Sequence, residues 1–217
     1  MIIVLFGKPG AGKGTQAPLL ANALDVPTLA TGDVLRAAVR AGTTLGREAK
    51  AFMDIGGLVP DTVILGIVAE ELTKPEYARG VILDGAVRTV PQAEGLDKML
   101  KSLGRRVDAV LALDVANEEV LRRLAGRTVC QNCQTPYTGR NAGDICEKCG
   151  GTLARRKDDD PEAMKTRLIV YDAQTAPVLQ WYKKAGTKVA VIDATGSVED
   201  VTARALEALG KKAGAGA

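Results

Sequence analysis

The chain contains 217 residues, of which 46% are hydrophobic, 25% are charged and only 3% are aromatic. This length is sufficient for one α/β core with small insertions, and mostly aliphatic side chains must fill that core. A formal net charge of +3 is close to balance and argues against a general nucleic-acid binder. The chain has no histidine, which excludes imidazole as a general base and as a metal ligand.

The first predicted element is a buried strand that leads into a glycine-rich loop. Residues 2 to 6 form an apolar run with β-branched side chains, typical of a strand buried on both faces. The next residues read GKPGAGKGT, and a helix is predicted from Thr15 to Leu24. Such a loop directs backbone N–H groups toward one anion, and the helix N-terminus adds its dipole. The pattern predicts a phosphate site, with Lys13 reaching the β- and γ-phosphates and a hydroxyl ligating Mg²⁺.

A helical excursion follows a short predicted strand at residues 26 to 30. Helices are predicted at residues 31 to 41 and 44 to 55, and the next helix begins at Asp61 or Thr62. Thr31 or Asp33 is the expected N-cap of the first of these helices. Residues 31 to 59 are therefore expected to form a small helical insertion in the core.

Two further buried strands end in acidic residues. One is predicted from Gly80 to Leu83 before Asp84, and the other from Val107 to Asp114. Ligands collect at the carboxyl ends of parallel strands, so Asp84 is a candidate to hold Mg²⁺ or its water shell. The remaining predicted elements are helices at residues 89–103, 118–124, 161–185 and 198–209 and a strand at 188–192. This alternation predicts a P-loop NTPase-like α/β fold, with a parallel five-stranded sheet and helices on both faces.

Residues 126 to 159 differ in character and hold all four cysteines. Cys130 and Cys133 form one Cys-x2-Cys pair, and Cys146 and Cys149 form a second pair after a spacer of twelve residues. Two such pairs supply the four sulfurs that Zn²⁺ binds tetrahedrally. Two disulfides are the alternative, which a cytoplasmic setting disfavours. Four thiolates leave no open coordination position, so we expect a structural Zn²⁺ that stabilises a small module similar to a zinc ribbon.

Together these motifs resemble the adenylate kinases, in particular the bacterial type with a long, zinc-binding lid. The general P-loop ends in Gly-Lys-Ser/Thr, whereas Gly-Lys-Gly-Thr is the variant of the nucleoside monophosphate kinases. The resemblance covers nearly the whole chain and depends on the joint order and spacing of the motifs. Beyond the loop and the cysteines, these motifs are Thr31-Gly32-Asp33-x-Leu35-Arg36, Gly57-Leu58-Val59-Pro60-Asp61, Asp84-Gly85-x2-Arg88-Thr89, Gln92, Arg123-x2-Gly126-Arg127, Arg156-Lys157-Asp158-Asp159, Arg167 and Thr175-Ala176-Pro177.

The resemblance implies reversible phosphoryl transfer, in which MgATP and AMP give two molecules of ADP. It divides the chain into three parts, which are a core P-loop domain at 1–30, 60–125 and 160–217, an AMP-binding insertion at 31–59 and a zinc lid at 126–159. Phosphoryl transfer requires mainly alignment and charge neutralisation, which planar arginine side chains supply well. Closure of the insertion and the lid on both substrates would keep water away from the γ-phosphate.

The resemblance also assigns roles to residues at matching positions. The expected ATP-binding residues are Gly10, Ala11, Gly12, Lys13, Gly14, Thr15, Arg123, Arg127, Pro136, Tyr137 and Gly196. The expected AMP-binding residues are Thr31, Arg36, Gly57, Leu58, Val59, Gly85, Arg88, Gln92, Arg156 and Arg167. The expected catalytic residues are Lys13, Asp84, Arg88, Arg123, Arg156 and Arg167. Thr15 and Asp84 would hold Mg²⁺, the acid through water.

One assigned role has a direct physical reason, and the roles of Tyr137, Asp158 and Asp159 have open alternatives. The amide of Gln92 can pair with adenine through one donor and one acceptor, which makes it the expected reader of the base. Tyr137 would either cover the nucleotide or pack on the cysteine pairs. Asp158 and Asp159 would either pair with lid arginines or form the hinge of the lid.

The sequence departs from the family where Ala86 and Val87 replace the usual Phe-Pro between Asp84-Gly85 and Arg88. In the family the phenylalanine lines the AMP side, and the proline typically follows a cis peptide bond. A cis bond before Val87 would cost roughly 3 kcal/mol. Either the backbone is trans and Arg88 is re-aimed, or a strained cis bond persists. In both cases we expect a raised Michaelis constant for AMP with ATP binding little changed.

Two other functions fit part of the pattern. Another nucleoside monophosphate kinase, acting on UMP/CMP or GMP, would share the architecture, although Thr31 and Gln92 favour adenine. A P-loop regulator whose zinc module binds RNA or a protein would use the arginines near the cysteines. Single-strand binders usually interleave aromatic side chains, however, and this module has only Tyr137.

The expected partners are ATP, AMP and ADP, with no nucleic acid and no membrane, and family habit indicates a monomer. No apolar run approaches the roughly 20 residues that cross a bilayer. The first predicted strand begins at residue 2, so we expect a soluble cytoplasmic protein without a signal peptide. The small, polar tail from Gly210 is expected to fray.

Overall fold

The computed structural model describes residues 1–211 and contains two sheets. The strands are β1 Ile2–Gly7, β2 Thr28–Ala30, β3 Val81–Asp84, β4 Ala109–Asp114, β5 Arg127–Cys130, β6 Pro136–Thr138, β7 Leu153–Ala154 and β8 Lys188–Asp193. The larger sheet has the order β2-β3-β1-β4-β8, and all of its neighbouring strands are parallel. This confirms the predicted five-stranded α/β core.

The side chains of β1 alternate between two apolar clusters, one on each face of the sheet. Val4 and Phe6 belong to one cluster, and Ile3 and Leu5 belong to the other. Each of these side chains is at most 2% exposed. A strand that is buried on both faces has no position for a polar side chain, which explains the continuous apolar run.

Nine α-helices lie among the described residues. They are α1 Lys13–Leu24, α2 Thr31–Ala41, α3 Thr44–Asp54, α4 Asp61–Leu72, α5 Val90–Ser102, α6 Asn117–Ala125, α7 Pro161–Val170, α8 Ala176–Lys184 and α9 Val198–Ala208. Apolar side chains of α1, α6 and α9 cover the face of the sheet that includes Ile3 and Leu5. Side chains of α4, α5 and α8 cover the opposite face.

Helices α2 and α3 lie within the range of the predicted insertion and have a small apolar core together with α4. Leu35, Ala49, Val59, Ile64 and Ile67 are buried in it. The expected side-chain N-cap of α2 is wrong, because the cap residue is Ala30 and no side chain caps the helix. The helix starts directly after β2, so that its first residue already belongs to a regular turn.

A three-stranded antiparallel sheet, in the order β6-β5-β7, forms the cysteine-containing module. Its apolar core consists of Cys130, Cys146 and Leu153, with Cys133 and Tyr137 packed against it. So small a core cannot bury enough apolar surface to stabilise a fold alone.

The single helix predicted at residues 161–185 is interrupted in the structure. A π-helical turn at Tyr171–Thr175 separates α7 from α8. Pro177 lies in the first turn of α8 and has no N–H to donate to the preceding turn, which favours such an irregularity. Thr175 is buried there, and its hydroxyl donates a hydrogen bond to the carbonyl of Arg88 at 2.9 Å.

The structure also bears on the expectations for the peptide bond before Val87, for membrane-spanning helices and for the C-terminal tail. All peptide bonds between the described residues are trans, including the bond before Val87. Within residues 1–211, no helix has the length and apolar character that a membrane crossing requires. The tail expected to fray from Gly210 lies, after Lys211, outside the described residues.

Candidate active site

A large open cavity of about 1540 Å³ lies over the glycine-rich loop at the carboxyl end of the sheet. It brings together residues that the sequence places far apart. Its predicted lining residues are Gly10, Ala11, Gly12, Lys13, Gly14, Thr15, Asp84, Arg123, Arg127, Pro136, Arg156 and Gly196. The structure therefore places every expected ATP-binding residue except Tyr137 around one space.

The loop has the conformation that its glycines allow. Gly10 and Gly12 adopt φ values of +80° and +103°, in the left-handed region that favours glycine. A Cβ atom on Gly10 would lie 2.8 Å from the side chain of Leu124, so no other residue fits this position without a shift. Helix α1 begins at Lys13 and directs its N-terminus at the cavity.

Lys13 lies among other positive side chains. Its Nζ donates to the carbonyls of Gly7 and Lys8, at 2.7 and 3.1 Å. Burial lowers the pKa of Lys13 to about 8, Asp84 opposes this shift, and neighbouring arginines add to it. A lysine whose charged form is disfavoured in this way gains stabilisation when an anion binds beside it.

Several of the predicted phosphate-binding arginines form ion pairs with acidic side chains. Asp158 accepts a hydrogen bond from Arg167 at 2.9 Å, and Asp159 accepts one from Nε of Arg127 at 2.8 Å. Asp159 thus pairs with an arginine of the predicted lid and Asp158 with one of the predicted core, and a hinge role for these two acids stays a prediction. A third ion pair joins Arg36 and Asp33, which the sequence indicated only as a helix cap.

Two buried donors in the same region have no partner. The Nε atoms of Arg36 and Arg156 are buried and make no hydrogen bond to another described residue. Burial lowers the pKa of Arg156 to about 10, which leaves the guanidinium charged at neutral pH. Buried, unpaired donors of this kind are costly unless a ligand accepts from them, and phosphate oxygens are suitable acceptors.

A second cavity, of about 550 Å³, lies between the helical insertion and the core. The predicted AMP-binding residues that line it are Thr31, Arg36, Gly57, Leu58, Val59, Gly85, Arg88, Gln92 and Arg167. Its size is suitable for one nucleotide-sized ligand. The remaining predicted residue, Arg156, lines the larger cavity instead.

The two cavities meet at a shared set of arginines. Arg36, Arg88 and Arg167 line both of them. Arg88 thus points at the junction although the bond before Val87 is trans. Ala86 and Val87 are 1% and 2% exposed and pack in the apolar core, below a smaller cavity that Val87 also lines. The expected rise in the Michaelis constant for AMP stays a prediction.

Glu119 is a site residue that the sequence reasoning missed. Its Oε1 accepts a hydrogen bond from Nε of Arg123 at 2.7 Å, while Arg123 also donates to the carbonyl of Ala194 at 2.8 Å. These contacts direct the guanidinium along the large cavity. Hydrogen bonds from Arg122 and Arg123 lower the pKa of Glu119 to about 2. The i, i+4 spacing of Glu119 and Arg123 on α6 was the available signal.

The expectation that Tyr137 covers the nucleotide is not what the structure shows. Tyr137 packs against the cysteine core, with its hydroxyl 3.2 Å from Sγ of Cys146. Side chains alternate between the faces of a strand, so Tyr137 faces away from the cavity that its neighbours Pro136 and Thr138 line. Gln134 lines the cavity as well and was not among the predicted residues.

The four cysteines converge at one point. Their sulfur atoms all lie within 4.8 Å of one another, with Cys130 and Cys149 at 3.4 Å and Cys133 and Cys146 at 3.6 Å. These separations exceed the roughly 2.05 Å of a disulfide. They approach the ~3.8 Å edge of a tetrahedron in which each Zn–S bond is about 2.3 Å. The cluster can therefore hold a metal ion, and the thiols are free.

Two cavities that face one another across a P-loop lysine and shared arginines define a phosphotransferase of the P-loop class. Comparison with known proteins agrees. The family model for adenylate kinase matches residues 5–187. The chain belongs to the adenylate kinase family.

Its similarity to individual members extends over almost the full length. The adenylate kinase of Gemmatimonas aurantiaca is 58% identical over 211 residues, which cover 96% of this chain and 99% of the relative. That of Streptomyces griseus is 49% identical over 214 residues, covering 96% and 97%. That of Methanocella arvoryzae is 45% identical over 217 residues, covering 98% and 100%. These matches favour adenylate kinase over another nucleoside monophosphate kinase and over a P-loop regulator.

Proposed function

We propose that this chain catalyses reversible phosphoryl transfer from MgATP to AMP, giving two molecules of ADP. The observation that carries the proposal is the junction at which the two cavities share Arg36, Arg88 and Arg167 beside Lys13. A phosphoryl group that crosses this junction would remain among positive charges throughout. Family membership supports the same reaction.

On the ATP side, the loop from Gly10 to Thr15 would hold the phosphates, with Lys13 on the transferring group. Arg123 and Arg127 would contact the phosphates from the edge of the lid, and Gly196 would lie against the adenine. Mg²⁺ would neutralise phosphate charge when it binds with ATP. Thr15 and Asp84 would hold that ion, since both line the cavity and offer the oxygen atoms that Mg²⁺ prefers.

On the AMP side, Arg36 and Arg88 would bind the phosphate, and Gln92 would read the base. Thr31, Gly57, Leu58, Val59 and Gly85 would line the remainder of this pocket, as they line the cavity. Arg156 and Arg167 would bridge the two phosphate chains where transfer takes place. Preorganised positive charge of this kind is the main contribution that proteins make to phosphoryl transfer.

The acid–arginine pairs suggest how substrates close the site. Phosphates would replace Asp158, Asp159 and Asp33 as partners of Arg167, Arg127 and Arg36. We propose that this exchange moves the insertion at 31–59 and the lid at 126–159 against the core formed by 1–30, 60–125 and 160–217. Closure on both substrates would then exclude water from the γ-phosphate.

The proposal is tested by ADP formation from MgATP with AMP, CMP, UMP and GMP in turn. Turnover is expected with AMP, at a kcat/KM at least about 100-fold above that of the other acceptors. A preference for CMP, UMP or GMP would assign another nucleoside monophosphate kinase. Absence of turnover with every acceptor, together with a salt-sensitive RNA gel shift, would favour the regulator.

We further propose that the four-cysteine cluster holds a structural Zn²⁺, since its donor set is all sulfur and its geometry fits. Free thiols suit a reducing compartment, which supports a cytoplasmic location. The net charge of +3 supports the absence of nucleic-acid partners. We propose that the chain acts as a monomer and without a membrane partner.

Removal of the metal by a chelator is expected to unfold the lid while the core persists. The melting temperature of the lid should fall by about 10 °C or more, because metal binding contributes directly to the stability of so small a module. Calorimetry with limited proteolysis would locate the change at residues 126–159. Restoration by added Zn²⁺ is the control, and unchanged melting after complete metal removal would contradict the prediction.

The affinity for ATP is expected to fall as the pH rises above about 8. The pKa of Lys13 is lowered to about 8 in the free protein, and bound phosphates raise it again because they favour the ammonium form. Binding therefore takes up a proton near and above this pH, and the uptake weakens binding as protons become scarce. Titration calorimetry of ATP binding at about pH 9, in two buffers of different ionisation enthalpy, would detect the uptake of this proton. The Lys13→Arg variant, whose charge persists, should lose this dependence.

A further inference from the structure

Gln92, the expected reader of adenine, is held at both ends of its amide group. Its Nε2 donates to Oδ1 of Asp61 at 2.7 Å, and its Oε1 accepts from the backbone N–H of Arg88 at 2.6 Å. The residue is only 1% exposed, yet it lines the AMP-side cavity. Asp61 lies in the first turn of α4, 31 residues before Gln92 in the sequence.

The partners of this amide fix which end is oxygen and which is nitrogen. A carboxylate can only accept hydrogen bonds, and a backbone N–H can only donate. Turning the amide of Gln92 by 180° would place its oxygen against Asp61 and its NH₂ against the N–H of Arg88. Both contacts would then be repulsive, so the opposite orientation is excluded while Asp61 is present.

Thr89 holds Asp61 in place. Its hydroxyl lies 3.1 and 3.2 Å from the two carboxylate oxygens of Asp61 and donates to them. The same oxygen accepts the backbone N–H of Gln92 at 3.1 Å and caps α5. The carboxylate is therefore positioned by the helix that carries the glutamine.

The fixed amide has one donor and one acceptor position left. The second N–H of Nε2 and the second lone pair of Oε1 remain, and adenine offers the matching acceptor N1 and donor N6. A 6-oxopurine offers the reverse pattern, with a donor at N1 and an acceptor at position 6. With the phosphate held by Arg36 and Arg88, rotation of the base about its glycosidic bond would move N1 and position 6 away from the amide and would not exchange them.

We propose that Asp61 is a positioning residue that fixes the orientation of the Gln92 amide and thereby sets the preference for adenine over 6-oxopurines. The proposal rests on the function proposed above, because it assigns the basis of acceptor choice at that same site. It also gives the Asp61 carboxylate a role beyond its contact between α4 and α5.

The test measures AMP and inosine 5′-monophosphate (IMP) as phosphoryl acceptors for the parent protein and for the Asp61→Ala variant. IMP differs from AMP at N1 and position 6. The Michaelis constant for AMP is expected to rise about tenfold, and the ratio of kcat/KM for AMP to that for IMP to narrow about tenfold. The Michaelis constant for MgATP and kcat at saturating AMP should change less than about twofold. Asp97→Ala, which removes a surface carboxylate of α5 paired with Lys101, should leave all of these values unchanged.

A double variant shows whether Asp61 acts through Gln92. In a Gln92→Ala background, Asp61→Ala should have no further effect on the ratio. Should Asp61→Ala fail to fold, Asp61→Asn serves instead, because it keeps the shape and one acceptor oxygen and should narrow the ratio about threefold.

Two results would overturn the proposal. An equal loss of kcat/KM for AMP, IMP and MgATP would show that Asp61 only stabilises the folded structure. An unchanged ratio in folded Asp61→Ala or Asp61→Asn would show that the carboxylate does not orient the amide. The parent protein is measured first, and failure of that protein to use AMP would reject the proposed function rather than the role of Asp61.

Discussion

Replacement of Lys13 by methionine is expected to lower kcat about 10³-fold. Lys13 begins α1, lies beside Asp84 and Arg88, and is the lysine of the P-loop sequence. Methionine keeps most of the length of the side chain but has no charge to place on the transferring phosphoryl group. The effect should appear mainly in kcat, because the charge on the phosphate oxygens changes most at the transition state.

The stability of this variant is expected to remain equal or to rise slightly. The lowered pKa of Lys13 means that, at neutral pH, the folded protein tolerates this positive charge less well than the unfolded chain does. Removing the charge also removes its repulsion from Arg88, Arg167 and Arg127, which offsets the lost attraction to Asp84. An inactive but fully stable variant would therefore separate the catalytic role from a structural one.

The matched control is Lys8→Met in the same loop. The Nζ of Lys8 donates to the carbonyl of Val115 at 3.1 Å, and the side chain does not line any of the cavities described above. We expect kcat to change less than about threefold in this variant. Similar losses in both variants would indicate that the loop, rather than the Lys13 charge, had been disturbed.

Replacement of Arg167 by lysine is expected to lower kcat about 10²- to 10³-fold in both directions of the reaction. Arg167 lines both nucleotide cavities and is one of the arginines at their junction. A lysine keeps the charge but has no planar fork, so it cannot bind two phosphate chains at once. Michaelis constants for ATP and AMP should each change only a few-fold, since the other arginines proposed to bind phosphate would still hold both nucleotides in the ground state.

Arg79→Lys is the control for this chemical change, because Arg79 forms an exposed ion pair with Asp25 far from the cavities. It should retain full activity. If Arg167→Lys raised only one Michaelis constant and left kcat intact, Arg167 would belong to a single nucleotide site. The proposed bridging role would then be wrong.

The local sequence determined the elements of the fold and the kind of chemistry. The apolar run at residues 2–6, the glycine-rich loop and the two cysteine pairs each have a meaning that depends on neighbours a few positions away. For this reason the five parallel strands and the convergence of the cysteines were predicted correctly. The element boundaries differ by one or two residues, since hydrophobic periodicity defines helix interiors better than helix ends.

Tertiary structure alone decided which groups face one another. The sequence did not indicate that Asp61 holds Gln92 or that Glu119 directs Arg123 along the cavity, and it left open whether Tyr137 covers the nucleotide or packs on the cysteines. The contact of Thr175 with the carbonyl of Arg88 likewise depends on packing across the core. Apart from the Glu119–Arg123 pair, which follows the helical i, i+4 spacing, these contacts join residues on different elements, and no sequence period encodes them. They arise only when packing against the sheet brings separate helices, strands and loops to the same edge.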